Sequence, residues 1–258
     1  MIDTAALLPE IVSAARRAGE AILAVYRTDF DVERKADESP VTQADLDAER
    51  IILDVLGRIT PDIPTIAEEE VAAGRTPEVG DRFWLVDPLD GTREFLSRNG
   101  EFTVNIALIE NRQPILGVVH APDRGLTFTG YRSGPATRQE GDKPPRGITV
   151  RTPPEEGLTV VASRRHGSIE EREHFLEGRK VAKRISCGSS LKFCVVAAGE
   201  ADIYPRFGPT MEWDTAAGHA VLAAAGGSLT TTDGKDFLYR KPDFLNPHFI
   251  AWGGLRKR

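Results

Sequence analysis

At 258 residues the chain can bury a full core, as one large domain or two small ones. With 33 Lys and Arg against 39 Asp and Glu, its net charge of −6 gives no general attraction for nucleic acid, so an anionic ligand must be held by local positive charge or by metal. Cys187 and Cys194 are too few for a disulfide framework and too far apart for a C-x-x-C site, no apolar run approaches a membrane span, and Asp3 opposes a signal peptide, so a cytoplasmic protein is expected.

Residues 4–27 predict an amphipathic helix, with Leu7, Leu8, Ile11, Val12, Ala15, Ile22 and Tyr26 at three- and four-residue steps. After a charged loop from Asp31 to Pro40, Thr42 is a good N-cap with Asp45 at its N3 position, and Leu46, Ile51, Ile52, Val55 and Leu56 form the expected buried face of a second helix. Strands are expected at Phe83–Asp87, Phe102–Ile109, Ile115–His120 and Leu126–Tyr131, with a hairpin connection at Asn111–Pro114. Residues 132–157 are rich in Pro, Gly and charge and read as a surface excursion and boundary. Beyond them strands at Leu158–Ala162, Val181–Ser186 and Ala201–Tyr204 alternate with helices near 169–177 and 189–198. A helix over 214–225 then stops at Gly226-Gly227, and strands Ser228–Thr231 and His248–Trp252 follow. Helices, then a meander, then α/β alternation predict layered sheets with helices between them.

The most informative segment is Trp84-Leu-Val-Asp87-Pro88-Leu89-Asp90-Gly91-Thr92. Two carboxylates three positions apart at a strand end repel one another unless a cation lies between them, and oxygen-only ligation suits magnesium better than zinc. Gly91-Thr92 leads into a helical turn whose N–H groups could receive a phosphate, although Asp-Pro and Asp-Gly pairs are also plain turn chemistry. Glu68, Glu69 and Glu70 are either a solvated loop or the source of a further carboxylate ligand. Asp214, in Met211-Glu-Trp-Asp-Thr215, is an N-cap, a metal or hydroxyl ligand, or both, and Trp213 is a packing residue. In Cys187-Gly-Ser-Ser-Leu-Lys-Phe193 the small polar residues and Lys192 make either an anion-friendly turn or a simple helix start. Arg206 and the segment Ser163-Arg-Arg-His166 supply further positive groups after expected strands.

Glu68-Glu69, D-P-L-D-G-T at 87–92 and W-D-T-A-A-G at 213–218, in this order, resemble the inositol monophosphatase superfamily of metal-dependent phosphatases. The resemblance runs from Val41-Thr-Gln-Ala-Asp45 to Ala225-Gly-Gly. Asn99-Gly-Glu-Phe-Thr-Val-Asn-Ile-Ala-Leu108, G-S-S-L-K-F-C at 188–194 and Tyr204-Pro-Arg-Phe-Gly-Pro resemble its CysQ-type 3′(2′),5′-bisphosphate nucleotidases. The resemblance implies an α/β fold, a five-layer α-β-α-β-α sandwich, often dimeric. Residues 1–150 would carry the main metal motifs, and residues 151–258 Asp214 and the nucleotide contacts, in one catalytic unit. It implies two to three magnesium ions on Glu68, Asp87, Asp90, Asp214 and the Leu89 carbonyl, with lithium as an inhibitor. Glu68 and Thr92 would serve the attacking water, and Asp45 would orient the Thr92 hydroxyl. Asp90, Gly91, Thr92, Asp214, Ser189, Lys192 and Arg206 would contact substrate, with His166 near its second phosphate.

The implied reaction is hydrolysis of the 3′-phosphate of adenosine 3′,5′-bisphosphate to AMP, with the 5′-phosphosulfate analogue as a further substrate, in sulfur assimilation. The substrate's roughly four negative charges near neutral pH agree with a site that needs cations. The rival readings are an inositol or other sugar phosphatase and a catalytically silent protein that binds phosphorylated ligands. No integral membrane contact is expected; CysQ-type relatives suggest a peripheral association with the inner membrane.

Overall fold

The computed structural model describes residues 2–29, 33–34, 40–164 and 167–254. Helix α1 (Thr4–Tyr26) starts where Asp3 accepts a hydrogen bond from Ala6 N–H at 3.0 Å, and it buries Ile11, Ala14, Ala15, Ala18, Ile22 and Tyr26. A two-residue antiparallel pair, β1 (Glu33–Arg34) with β2 (Pro40–Val41), precedes α2 (Gln43–Ile59). The expected capping box is formed: Thr42 accepts from Ala44 N–H, and Asp45 accepts from Thr42 N–H at 2.8 Å. The buried stripe runs through Ala44, Ala48, Ile52, Val55 and Leu56. Leu46 and Ile51 were expected on that face, but helical spacing from Ala44 and Ala48 turns Leu46 outward, 47% exposed, and leaves Ile51 half-buried.

The larger sheet follows: β3 (Thr65–Ala67), then α3 (Glu68–Ala72), β4 (Arg82–Asp90), α4 (Thr92–Leu96), β5 (Thr103–Glu110), β6 (Gln113–Ala121), β7 (Leu126–Tyr131), β8 (Thr137–Glu140) and β9 (Arg146–Gly147). These seven strands lie in sequence order, antiparallel except for the β3–β4 pair. The β5–β6 hairpin turns on Asn111 and Arg112, both at positive φ, as a tight two-residue loop requires. The stretch 132–157 is not wholly a surface excursion, because β8 and β9 extend the sheet edge. Their polar, half-exposed side chains suit an edge strand and leave no hydrophobic period to read.

The smaller sheet comprises β10 (Leu158–Ala162), β11 (Val181–Ser186), β12 (Ile203–Arg206), β13 (Ser228–Thr231) and β14 (Phe249–Trp252), ordered β11-β10-β12-β14-β13. Helices α5 (Ile169–Leu176), α6 (Leu191–Ala197) and α7 (Glu212–Ala224) connect them. Strand alternation defines the layers. On β5, Val104, Ile106 and Leu108 pack with α1 and α2, whereas Ala107 and Ile109 join α6 and α7. On the smaller sheet, Val161, Tyr204, Phe249 and Ala251 face α6 and α7, whereas Leu158, Val160, Ile203 and Ile250 pack with Leu176 and Phe175 of α5. The order is therefore α1/α2, large sheet, α6/α7, small sheet, α5, the expected five-layer sandwich.

Helix α7 lies close against the large sheet because two strand residues lack a side chain. A Cβ on Gly117 would come within 2.5 Å of Ala217 O, and one on Gly130 within 2.6 Å of Val221 Cα. No helix is long and apolar enough to cross a membrane among the described residues.

Two outcomes test this packing. Gly130→Ala should cost about 1–3 kcal/mol by overpacking, while Gly57→Ala, in α2 with nothing within 4 Å of a new Cβ, should gain about 0.5–1 kcal/mol from helix propensity; thermal unfolding of the two variants measures both. The second concerns His120, buried against Gly19 and Pro122, which burial and the nearby Arg16 push down from 6.5 to about 4. Because the unfolded chain takes up this proton first, the contribution is complete above pH 6.5 and lost as pH falls toward 4. Urea unfolding across that window should show a loss of about 3 kcal/mol that is absent in His120→Asn.

Candidate active site

The Asp87–Asp90 segment owes its shape to a fault in sheet register. Asp87 pairs with Asn105 and Asp90 with Thr103, so three steps along β4 match two along β5. Residues three apart on a regular strand face opposite ways; the extra residue at Pro88-Leu89 brings both aspartates to the face shared by Asn105 and Thr103. Pro88 has no N–H to lose from the ladder there. Asp87 Oδ1 accepts from Leu89 N–H at 3.0 Å. Gly91, at φ 91°, then turns the chain into α4, and the Thr92 hydroxyl donates to Leu89 O at 3.5 Å.

Opposite this edge stand the carboxyl ends of the parallel strands β10, β11 and β12. The chain winds from β10 through α5 to β11 on one side, then through α6 to β12 on the other, so strand order reverses about β10. Ligand clefts form at such reversals. Ser163 follows β10, the Cys187–Ser190 turn follows β11, and Arg206 ends β12. Between the two edges lies a cleft of about 300 Å³, lined by Glu68, Asp90, Gly91, Thr92, Ser189, Lys192, Arg206 and Asp214 among others. Those eight sequence-predicted residues are thus brought together from both sheets and from α7. Asp45, Asp87 and Leu89 lie beneath the surface, Asp45 accepting from the Thr42 hydroxyl at 2.7 Å. His166 falls outside the described residues.

The structure separates the three glutamates. Glu68 lines the cleft. Glu69 is buried, its N–H donating to Glu49 at 2.8 Å, and Glu70 pairs with Arg75 at 2.6 Å. Burial, with Glu69, Glu70 and Glu68 nearby, pushes Glu49 up to about 7.

Asp214 was read as an N-cap, a metal or hydroxyl ligand, or both; the cap reading is corrected, since it sits at N3 of α7, which begins two residues earlier. Its Oδ2 reaches back to Met211 N–H at 2.8 Å, so the extended Met211 takes the cap position and Asp214 satisfies that backbone donor. Trp213 is packed in the core as expected. The small-residue turn also proves to be more than a helix start. Ser189 has φ +46°, a left-handed conformation that a serine adopts at a cost, and α6 begins only at Leu191. Ser190 N–H donates to Asp90 Oδ2 at 2.5 Å, its hydroxyl donates to Asn105 Oδ1 at 2.7 Å, and Thr103 Oγ1 lies 2.8 Å away. Lys192 folds over the turn, donating to Ser189 O at 2.5 Å and Cys187 O at 3.4 Å; an ammonium has three donors, so one remains. Asn105, Thr103, Glu94 and Thr210 line or support the site with no role assigned from sequence, and Ser190 and Ser163 do so from segments read only as a turn or helix start and as a source of positive charge.

Burial dominates the electrostatics. It pushes Asp90 up to about 6 despite the opposing charge of Lys192 and the Ser190 bond. Asp214 is raised well above the carboxylate range by burial and by the charges of Asp90 and Glu68. Three carboxylates of one sign in a sheltered cleft, with oxygen donors only, fit a hard divalent cation. Among the described residues no three His, Cys, Asp or Glu side chains form a ready-made cage. Asp90 and Asp214 each nevertheless keep one carboxylate oxygen with no protein donor among those residues. On the other lip, Arg206 is 9% exposed, donates to Pro209 O at 2.9 Å, and leaves its buried Nε without a partner. A guanidinium lining a cleft suits an anion.

The inositol monophosphatase family model matches residues 3–255. The 3′(2′),5′-bisphosphate nucleotidase CysQ of Escherichia coli is 47% identical over 247 residues, covering 94% of this chain and 98% of that protein. The crystal structure of CysQ from Bacteroides thetaiotaomicron, a bacterial member of the same family, superposes with a TM-score of 0.80 at 38% identity, covering 96% of this chain and 97% of that one. The Thermotoga maritima IMPase superposes with a TM-score of 0.77 at 28% identity, covering 95% and 91%. The match in sequence along nearly the whole chain and in fold across both sheets has one meaning: the chain belongs to the inositol monophosphatase family.

Proposed function

We propose that this protein is a magnesium-dependent 3′(2′),5′-bisphosphate nucleotidase that hydrolyses the 3′-phosphate of adenosine 3′,5′-bisphosphate to AMP and inorganic phosphate. The observation that carries the reading is the two-signed cleft. Its carboxylate lip suits cations, and its other lip presents two buried positive groups, Lys192 and Arg206, for a second anionic group. A monophosphate sugar would leave that second lip unused. The E. coli relative named for bisphosphate nucleotidase activity supports the same substrate class.

Glu68, Asp87, Asp90, Asp214 and the Leu89 carbonyl are the donors we assign to two to three magnesium ions, whose charge would offset the carboxylates and phosphate and acidify water. The chain's own groups do the positioning. Gly91 and Thr92 cradle the scissile phosphate. The Thr92 hydroxyl, oriented by Asp45, and the Glu68 carboxylate hold the water, and Glu68 accepts its proton as oxygen bonds to phosphorus. The bond from phosphorus to the 3′-oxygen breaks in line, and that oxygen takes a proton from solvent. Arg206, Lys192 and Ser189 hold the nucleotide, with His166 assigned near the second phosphate. Positioning and charge complementarity are what phosphoryl transfer asks of a protein.

Three outcomes check the proposal. Phosphate release from adenosine 3′,5′-bisphosphate should greatly exceed that from inositol 1-phosphate under the same conditions, and the reverse preference would reassign the cleft to a sugar phosphatase. Chelation should abolish release and magnesium restore it, with lithium inhibiting. Asp90→Asn keeps an oxygen for Ser190 N–H but loses the charge, so kcat should fall by about 100-fold or more with the thermal midpoint little changed.

A further inference from the structure

Glu101 lies just before β5, 6% exposed, outside the groups assigned above to metal or substrate. Three donors from three separate segments converge on its carboxylate. Gly188 N–H, in the turn after β11, donates to Oε2 at 2.7 Å. Arg164, from the segment after β10, pairs with the same oxygen. Arg124, in the β6–β7 hairpin, donates to Oε1 at 2.6 Å. These bonds hold Glu101 below the usual carboxylate range although burial opposes them, so it is ionised at neutral pH. The fit is tight on the turn side. A Cβ on Gly188 would come within 2.7 Å of both Glu101 O and the Glu94 Cγ, so no other residue can approach there. Ser189, strained at φ +46°, and Lys192 follow directly.

We infer that Glu101 is a positioning residue: its carboxylate clamps the Gly188 turn and the Arg164 segment of the small sheet to the edge of the large sheet, and so sets where Ser189 and Lys192 meet the nucleotide. The inference rests on the nucleotidase reading for its substrate and on geometry alone for the clamp. Strained backbone persists only where its surroundings over-determine it: Glu101 holds Gly188 on one side of the strained serine, Asp90 holds Ser190 on the other, and Lys192 holds the Ser189 carbonyl. Charge-assisted bonds to a buried carboxylate are the strong class of hydrogen bond.

The test uses Glu101→Gln and the milder Arg124→Gln, which removes one donor at a half-exposed arginine. One readout is kinetic. Against adenosine 3′,5′-bisphosphate, Glu101→Gln should raise KM on the order of tenfold or more, the loss expected of a charged hydrogen bond, with kcat moved much less. Against p-nitrophenyl phosphate, which has no second anionic group, the variant should stay within about twofold of wild type. The other readout needs no substrate. Cys187 is buried beside the turn, and burial pushes its thiol up to about 11, so it should react slowly with a thiol reagent at neutral pH. Releasing the turn should make one of the two cysteines reactive in Glu101→Gln, and more slowly in Arg124→Gln, while Cys194 stays protected in the core.

A protected Cys187 together with an unchanged KM overturns the clamp. So does an equal loss on both substrates, which would mark a merely structural residue. If the wild-type protein hydrolyses p-nitrophenyl phosphate but not the bisphosphate, the nucleotidase reading fails. Thiol exposure then decides the clamp by itself.

Discussion

The active cleft depends on one misaligned stretch of β-ladder. By matching three residues of β4 to two of β5, the chain turns Asp87 and Asp90 to the same face, and that face is the one covered by α6 and α7. Without the bulge one of the two carboxylates would point among Trp84, Val86 and the α1–α2 layer, where a charge has no partner. The same pairing places Asn105 and Thr103 beside them, and these two residues receive Ser190 from the other sheet. A register fault within one sheet thereby fixes how the second sheet meets it.

The two lips carry opposite charge because they come from different architectures. The antiparallel sheet presents a strand end bearing acids, whereas the parallel strands present their carboxyl ends, followed by turns, a lysine and an arginine. Helix α7 ties the two, since its first turn carries Asp214 while its small-residue body is seated on Gly117 and Gly130. Any shift of α7 would therefore move a carboxylate of the site. Tight packing far from the chemistry thus has a direct functional consequence, since interiors at this density transmit displacement rather than absorb it.

Local signals in the sequence were enough for the helices with strong apolar period, the capping box at Thr42 and a hairpin within Asn111–Pro114, because each is settled by residues a few positions apart. They were not enough for β3, β8 and β9, which are short or polar and exist only through backbone pairing to a neighbour. The start of α7 was misjudged for a related reason. Asp214 looks like a cap on preference alone, yet the extended Met211 takes that position and the aspartate serves from N3. The metal-type carboxylates were legible as a motif, and the family resemblance singled out Glu68, which lines the cleft; the residues alone left the three glutamates undistinguished. That choice falls to Glu49 and Arg75, which engage Glu69 and Glu70.

The supporting residues were invisible for a deeper reason. Ser190 meets Asp90 across 100 positions of chain, Gly188 meets Glu101 across 87, and Ser190 meets Asn105 across 85. No periodicity records such pairings. They share a logic nonetheless: each joins the small sheet to the large one, and each ends on a group next to the cleft. A cleft between two sheets has no backbone of its own to hold its width, so its dimensions must be set by side chains spanning the gap. Buried, charge-assisted or reciprocal hydrogen bonds suit that task because they are directional, whereas apolar contacts tolerate sliding. The polar network at Asp90, Asn105, Thr103, Ser190 and Glu101 is therefore better understood as what fixes the distance between the anionic and cationic lips than as a source of stability.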